Sequence, residues 1–206
     1  MLAQRTRAQP NRGKVGVLVV DMMESDKTHG EIFRSLKSRD RVARGICEVV
    51  RVAKGKRMPV FLVGFDSDEI DSDIVKAAGP NPRIFVKSTR DALLNEELRE
   101  AMAAENVGTL LVCGYGKVQC ALETVQGALG GGFAVVTSYK LMLNDWWVSW
   151  GQDLKATLFY ARNTEFYWTV GGVARRLGRA EPSNHSLSIP GFRENSLPVP
   201  VNFSSP

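Results

Sequence analysis

Three side chains with reactive groups stand where short apolar segments of the sequence end. Asp21 follows the first such segment, Lys87 closes a later one, and Cys120 comes a few residues after another. A thiolate can attack a carbonyl carbon, a carboxylate can carry the proton, and a lysine ammonium can stabilise both negative charges. Together these three groups form a catalytic triad suited to the hydrolysis of a carbonyl compound.

The residues around Cys120 support its role as the nucleophile. The segment Gly114-Tyr-Gly-Lys-Val-Gln119 precedes it and predicts a turn into a helix that starts near Gln119. Unpaired backbone N–H groups and the helix dipole favour an anion there, so we expect the helix start, and Lys87, to lower the thiol pKa. An oxyanion needs convergent donors, and we assign them to the backbone N–H groups of Gly116 and Cys120.

Strands and helices alternate over most of the chain. Continuous apolar and β-branched runs predict strands at 15–20, 59–65, 83–87, 109–113 and 133–137. Helical spacing and capping residues predict helices over 31–56, from Asp91 to about Asn106, and from about Gln119 onward. In the less regular last third, 156–160 suggests a sixth strand and 164–177 a closing helix.

This alternation predicts a three-layer α/β sandwich with a parallel sheet of five or six strands. Chemistry in such sheets gathers at the carboxyl ends of the strands. Asp21, Lys87 and Cys120 all stand at or just beyond such ends, so we expect the fold to bring them together.

Composition excludes several classes of protein. The net charge is +5, but the basic residues are scattered and not interleaved with aromatic side chains, so we do not expect nucleic acid as a partner. Three cysteines without a CxxC pair indicate a reducing, cytoplasmic location, and two histidines exclude a histidine-rich metal site. No apolar run reaches eighteen residues, which predicts no membrane span, and the basic N-terminus lacks the apolar core of a secretory signal.

The segments 17–26 and 86–138 resemble the isochorismatase-like cysteine hydrolases. In that family the first strand ends in a catalytic aspartate, a lysine precedes a short polar stretch, and a glycine-rich turn after the fourth strand carries the nucleophilic cysteine. The resemblance therefore implies the same roles for Asp21, Lys87 and Cys120, a Rossmann-like fold, a cis Tyr115–Gly116 peptide, and a homodimer or homotetramer.

The chain also departs from the family pattern. Lys117 stands where the turn commonly has threonine, which we expect to place a cation near the nucleophile. The Asp-x-His…His metal pattern of the nicotinamidase branch is missing, so we expect no metal and no cofactor. True isochorismatases cleave a vinyl ether and lack the cysteine, so Cys120 implies C–N hydrolysis of a small amide, ureide or carbamoyl substrate. The alternatives are a non-catalytic binding or assembly module and a hydrolase for an ester or vinyl ether.

Other residues allow two interpretations each. Tyr115, His29 and Trp146 are candidates for the substrate pocket; the aromatic residues of the last third also suit core packing or a subunit interface. The acidic stretch 66–73 suits a solvated loop that caps the next helix, or a divalent cation site with oxygen ligands. We expect three regions: a basic arm at 1–13, the hydrolase domain at 14–180, and an extended Pro/Ser-rich tail at 181–206, either disordered or laid across the body or a neighbouring subunit.

Overall fold

The computed structural model describes residues 13–25, 36–66, 68–144 and 147–179. The strands of this part are β1 (Lys14–Val20), β2 (Val60–Phe65), β3 (Arg83–Lys87), β4 (Val107–Tyr115), β5 (Ala134–Ser138), β6 (Met142–Leu143) and β7 (Glu165–Tyr167). Its α-helices are α1 (Leu36–Gly55), α2 (Ser72–Ala78), α3 (Glu96–Ala104), α4 (Cys120–Gly130), α5 (Trp150–Asn163) and α6 (Val170–Arg179). Residues 1–12 of the basic arm, residues 31–35 of the first predicted helix, and the tail from 181 lie outside the described residues.

The strands form one parallel sheet, as the alternating pattern predicts. Its order is β3-β2-β1-β4-β5-β7, and the two-residue β6 pairs with the end of β4. The strand β1 lies at the centre, with Val20 paired to Val63 of β2 on one side and to Gly114 of β4 on the other. Both neighbours of β1 run parallel to it, so their carboxyl ends meet at the edge where Asp21 leaves the sheet.

Helices cover both faces of the sheet, which confirms the three-layer architecture. Along β1, Val17 and Val19 belong to a core with α1, α2 and α6, whereas Leu18 and Val20 belong to a core with α3, α4 and α5. Because side chains alternate along a strand, a continuous apolar run supplies both cores at once. This two-sided burial explains why β1 contains no polar residue between Val15 and Val20.

Two predictions for the last third are wrong. Residues 156–160 lie in α5, not in a strand; Ala156, Phe159 and Tyr160 face the core and the intervening Leu158 is exposed. The capping box of Ser149 and Gln152 starts this helix. The predicted closing helix over 164–177 is divided: β7 pairs with β5, and α6 begins only at Val170.

The segment predicted as one helix from Asp91 to Asn106 is also divided. Asp91 does act as a cap, since its side chain accepts a hydrogen bond from Leu93 N–H, but the turn it caps is a 3₁₀ helix over Ala92–Leu94. Asn95 is extended, and its side chain accepts from Leu98 N–H and starts α3. No described helix is long and apolar enough to cross a membrane.

Candidate active site

Asp21 leaves the central strand in a strained backbone conformation. Its φ is +51°, in the left-handed region that non-glycine residues seldom adopt. The turn is fixed by a hydrogen bond of 2.8 Å from Asp21 N–H to the carbonyl of Val63. The side chain is buried with 4% exposure, and burial raises the pKa of its carboxyl, while the hydrogen bond and charge of Lys87 oppose that effect.

Lys87 ends β3 and reaches across to Asp21. The Lys87 Nζ lies 2.8 Å from Oδ2 of Asp21, and it also donates to the carbonyl oxygens of Thr89 at 3.0 Å and Arg90 at 3.4 Å. The residue is 2% exposed. Three acceptors around one buried ammonium fix its position, as a buried ion pair requires if its desolvation is to be offset.

Cys120 is the first residue of α4, as the sequence predicts, and is half-buried beside this ion pair. The thiol is a weak donor to the Asp21 carboxylate and affects the pKa of that group. The carboxylate oxygen Oδ1 of Asp21 has no hydrogen-bond partner among the described residues. The structure thus brings Asp21, Lys87 and Cys120 together.

The expected lowering of the thiol pKa is wrong for this resting arrangement. Burial, together with the negative charge of Asp21, raises the pKa of the Cys120 thiol to about 11, because these two effects outweigh the lowering by Lys87 and Arg90. At neutral pH the resting site therefore holds a protonated thiol next to a carboxylate. A thiolate forms only if its proton moves to that carboxylate.

The turn before Cys120 contains the two backbone N–H groups that the sequence analysis assigns as oxyanion donors, those of Gly116 and Cys120. Gly116 has φ +77°, and a Cβ at this position would lie 2.9 Å from the backbone nitrogen of Cys120, so only glycine fits. No described residue accepts a hydrogen bond from the N–H of Gly116 or of Cys120. The Tyr115–Gly116 peptide is trans, contrary to what the resemblance implies; the left-handed Gly116 turns the chain here.

Lys117 does not face the nucleophile, which corrects the expectation of an added cation there. Its Nζ contacts α5, where it lies 2.9 Å from Oδ1 of Asp153 and 2.8 Å from Oγ1 of Thr157. The ammonium also lies 4.0 Å from the ring centroid of Tyr139. Burial lowers the pKa of Lys117, with Asp153 opposing the effect.

The candidate pocket residues are only partly described. Tyr115 is half-buried and packs against the core of α1 and α6, whereas Cys120 packs against the core on the α4 side. The two side chains therefore lie on opposite sides of the sheet. His29 and Trp146 lie outside the described residues.

Two residues that the sequence analysis did not single out lie beside the triad. Phe65, at the end of β2, is 42% exposed, and its ring centroid lies 4.8 Å from Nζ of Lys87. Arg90 contacts the first turn of α4, where its Nη1 lies 3.4 Å from Oε1 of Glu123. Their positions in the sequence could have indicated both residues, because Phe65 ends β2 and Arg90 follows the end of β3.

The acidic loop after β2 acts as the predicted helix cap. Asp71 accepts hydrogen bonds from the N–H groups of Asp73 and Ile74 at the start of α2. Its other carboxylate oxygen pairs with the buried Arg39 of α1 at 2.5 Å. Arg39 also donates to the carbonyl of Met23, so this pair ties the residues after Asp21 to two helices. The one fully buried carboxylate of the loop is thus already matched by an internal cation.

Comparison with protein families identifies residues 15–139 as an isochorismatase domain. The match covers the sheet from β1 to β5 and all three triad residues, so the chain belongs to the isochorismatase family. Comparison with curated proteins finds no match.

Several solved structures share this fold at low sequence identity. A cysteine hydrolase from Pseudomonas syringae pv. phaseolicola 1448A aligns with a TM-score of 0.65 and 18% identity, over 84% of this chain and 95% of that one. The N-carbamoylsarcosine amidase from Thermoplasma acidophilum aligns at 0.61 and 15%, over 76% and 96%. The MAR1 ribonuclease from Caenorhabditis elegans aligns at 0.66 and 14%, over 84% of each chain. At these identities the likeness establishes the fold alone.

Proposed function

We propose that this protein is a cysteine hydrolase that cleaves the C–N bond of a small amide, ureide or carbamoyl compound through an acyl-enzyme. The observation that carries the proposal is the buried ion pair of Asp21 and Lys87 beside Cys120 at the first residue of a helix. A nucleophile, a base and a cation thus meet at one sheet edge, each supplied by a different strand end. The neighbours named as a cysteine hydrolase and a carbamoylsarcosine amidase support C–N cleavage as the reaction.

The first half of the reaction forms the acyl-enzyme. The Sγ of Cys120 attacks the carbonyl carbon as its proton passes to Asp21. Burial raises the pKa of that carboxyl, which makes it a stronger base than an ordinary aspartate. The oxyanion accepts hydrogen bonds from the N–H groups of Gly116 and Cys120. Asp21 then returns the proton to the leaving nitrogen, and ammonia or an amine departs.

The second half hydrolyses the thioester. Asp21, again ionised, takes a proton from water as the water oxygen attacks the acyl carbon. The thiolate leaves and is reprotonated, which restores the resting thiol. Lys87 keeps its contact with Asp21 throughout and stabilises the negative charge that moves between the carboxylate and the sulfur. Because every proton transfer passes through Asp21, the mechanism requires no histidine.

The assembly and location form part of the same proposal. We propose a homodimer or homotetramer in the cytoplasm with a small-molecule substrate. Large apolar side chains on the outer surface of α5, Trp150, Leu154 and Leu158, support a subunit interface, and three free cysteines support a reducing compartment. Light scattering after size-exclusion chromatography measures the subunit number.

A substrate panel tests the proposed reaction. The purified protein is incubated with primary amides, ureides and N-carbamoyl amines, and released ammonia or amine is measured, with esters run in parallel. We expect turnover that Cys120→Ala abolishes and that Cys47→Ala, a buried thiol on α1, retains. Intact-mass analysis of a slow substrate is expected to show an acyl adduct on Cys120. Amide turnover that survives in Cys120→Ala, or turnover of esters alone, would contradict the proposal.

A further inference from the structure

Lys117 connects the turn before Cys120 to β6 and to α5, and all of its polar groups take part. Its N–H donates to the carbonyl of Leu143 at 3.0 Å, and its carbonyl accepts from the buried hydroxyl of Tyr160 at 2.6 Å. Its ammonium reaches Asp153 at 2.9 Å and Thr157 at 2.8 Å, and the whole residue is 2% exposed. The main chain and the side chain at this one position are therefore both fixed by the segment 143–160.

Asn144 extends this connection to the next residue of the turn. Its Oδ1 accepts from Val118 N–H at 3.1 Å, and its Nδ2 donates to Oδ1 of Asp153 at 2.6 Å. The same carboxylate oxygen of Asp153 thus receives hydrogen bonds from both Lys117 and Asn144. Asp153 is the point of α5 at which two consecutive residues of the turn are anchored.

This anchored turn separates the two oxyanion donors. Gly116 stands immediately before Lys117, and Cys120 follows two residues after Val118. The spacing of those N–H groups, and the approach of Sγ to Asp21, depend on the path of the chain between them. At position 117 the isochorismatase family commonly has threonine. The threonine side chain ends one atom beyond Cβ and is too short to contact Asp153.

Stability alone does not explain a buried charge here. A buried ion pair often contributes no more than apolar residues of similar volume, because desolvation offsets the attraction. Burial indeed lowers the pKa of Lys117 against the influence of Asp153. The geometry that such an ion pair specifies explains it better than its stability does. The two short contacts of the Lys117 ammonium, with Asp153 and Thr157, leave the turn few alternative positions.

We propose that Lys117 is a positioning residue, which with Asp153 holds the Gly116–Cys120 turn against α5 and so aligns the oxyanion donors with the nucleophile. The inference rests on the proposed function for its catalytic consequence. It acts through the backbone of the turn; the ammonium itself does not contact the reacting atoms. When the anchor is lost, Cys120 moves away from Asp21 and becomes more exposed to water.

The test combines turnover with the pH dependence of iodoacetamide alkylation at Cys120. In Lys117→Met we expect kcat to fall by about 10²-fold while KM changes by less than about 3-fold, because misplacement of the turn affects the transition state more than binding. The midpoint of alkylation is expected to fall from about 11 toward the ordinary thiol value of about 8.5. Lys117→Arg, which keeps the charge, is expected to recover part of both losses.

Two further variants separate positioning from loss of stability. The double variant Lys117→Met/Asp153→Leu removes both charges, so its melting temperature is expected to return toward that of the unmodified protein while its kcat and alkylation midpoint stay altered. Lys155→Met, an exposed lysine on the same helix, is the matched control and is expected to change none of the three.

The outcomes are distinguishable. If kcat and the alkylation midpoint recover together with melting temperature in the double variant, Lys117 has a structural role only and the inference is overturned. The same conclusion follows if Lys117→Met leaves the midpoint unchanged. If the unmodified protein hydrolyses no amide, the proposed function fails, and the alkylation midpoint alone still decides whether Lys117 positions the turn.

Discussion

Nζ of Lys87 lies 2.8 Å from Oδ2 of Asp21, with both side chains almost completely buried. The pair joins the ends of β1 and β3, which are separated in the sheet by β2. Lys87 therefore spans the width of one strand to reach the carboxylate. The negative charge of Asp21 raises the pKa of the Cys120 thiol, and the positive charge of Lys87 lowers it. Substitutions of these two residues are therefore expected to change that pKa in opposite directions.

Removal of the base is expected to make the thiol easier to alkylate while turnover is lost. In Asp21→Asn the negative charge that raises the thiol pKa is gone and Lys87 still lowers it, so the pKa of Cys120 falls below about 11. Iodoacetamide labelling at pH 8, read by mass spectrometry, should become faster. Amide turnover should drop by about 10²–10⁴-fold for want of a proton acceptor. Slower labelling in this variant would show that Asp21 does not act on the thiol.

Removal of the cation is expected to have the contrary effect on labelling. In Lys87→Met the thiol loses its main lowering influence and its pKa rises, so alkylation at pH 8 slows and turnover is lost. Because Asp21 is left buried without its partner, the free energy of unfolding should also fall by about 3–5 kcal/mol in a urea titration. Lys76→Met, an exposed lysine on α2, is the control and should stay within about 0.5 kcal/mol. Faster labelling would contradict the assigned role.

Gly116 is expected to be irreplaceable for catalysis. Alanine there would be strained at φ +77°, and its Cβ would press on the backbone nitrogen of Cys120 at 2.9 Å. Gly116→Ala should therefore lower kcat by about 10²–10³-fold with little change in KM, the loss expected when an oxyanion donor is displaced. Gly130→Ala provides the control, because a Cβ there meets nothing within 4 Å. Equal kcat values for Gly116→Ala and Gly130→Ala would show that the turn at Gly116 does not contribute to catalysis.

An ion pair at the opposite edge of the sheet predicts a pH-dependent stability. The hydrogen bond from Arg83 lowers the pKa of Glu105, with Lys14 adding to the effect and burial opposing it. A carboxyl whose folded pKa is lowered contributes stability above its unfolded pKa, and this contribution is lost as the pH falls through the folded pKa. Glu105→Gln should therefore cost about 0.2–1 kcal/mol at pH 7 and less at pH 3.

Urea unfolding at both pH values measures this difference. Glu100→Gln, an exposed acid on α3, is the matched control and should stay within about 0.5 kcal/mol at either pH. A cost that grows toward pH 3 would have the wrong sign for a carboxyl with a lowered pKa.

The sequence predicted the part of the fold that positions the triad, because there local pattern and burial agree. The run Val15–Val20 is buried on both faces of the sheet, so almost every residue in it is apolar. A continuous apolar run of this length is recognisable from the sequence as a buried strand. The glycine-rich turn likewise indicated the start of α4 near Gln119, which is the residue that precedes the helix. In such a sheet the carboxyl ends of neighbouring strands share an edge, which brings Asp21, Lys87 and Cys120 together.

The last third could not be assigned by the same reasoning. A short apolar segment such as 156–160 suits either a strand or one face of a helix, and only its neighbours decide. The decisive signal lay upstream, where Ser149 and Gln152 form a capping box. Glu165, which lies near the start of the helix predicted over 164–177, instead belongs to β7 and pairs with Arg176 of α6.

The environments of Lys117 and Cys120 were beyond the reach of sequence for a different reason. The partner of Lys117 is Asp153, 36 residues along the chain, and no local pattern joins the two. The pKa of Cys120 depends on the balance of burial against two opposite charges. The helix start and Lys87 indicated a lowered pKa, but neither carries information on how deeply the thiol is buried.

The central position of β1 also has a consequence for how the chain folds during synthesis. One of its two neighbours, β4, is made about ninety residues after β1, since Val15 of β1 pairs with Thr109. Until β4 leaves the ribosome, the edge of β1 that pairs with β4 has no partner for its backbone N–H and C=O groups. Asp21 is thus translated long before Cys120, and docking of β4 is the step that brings the two residues together.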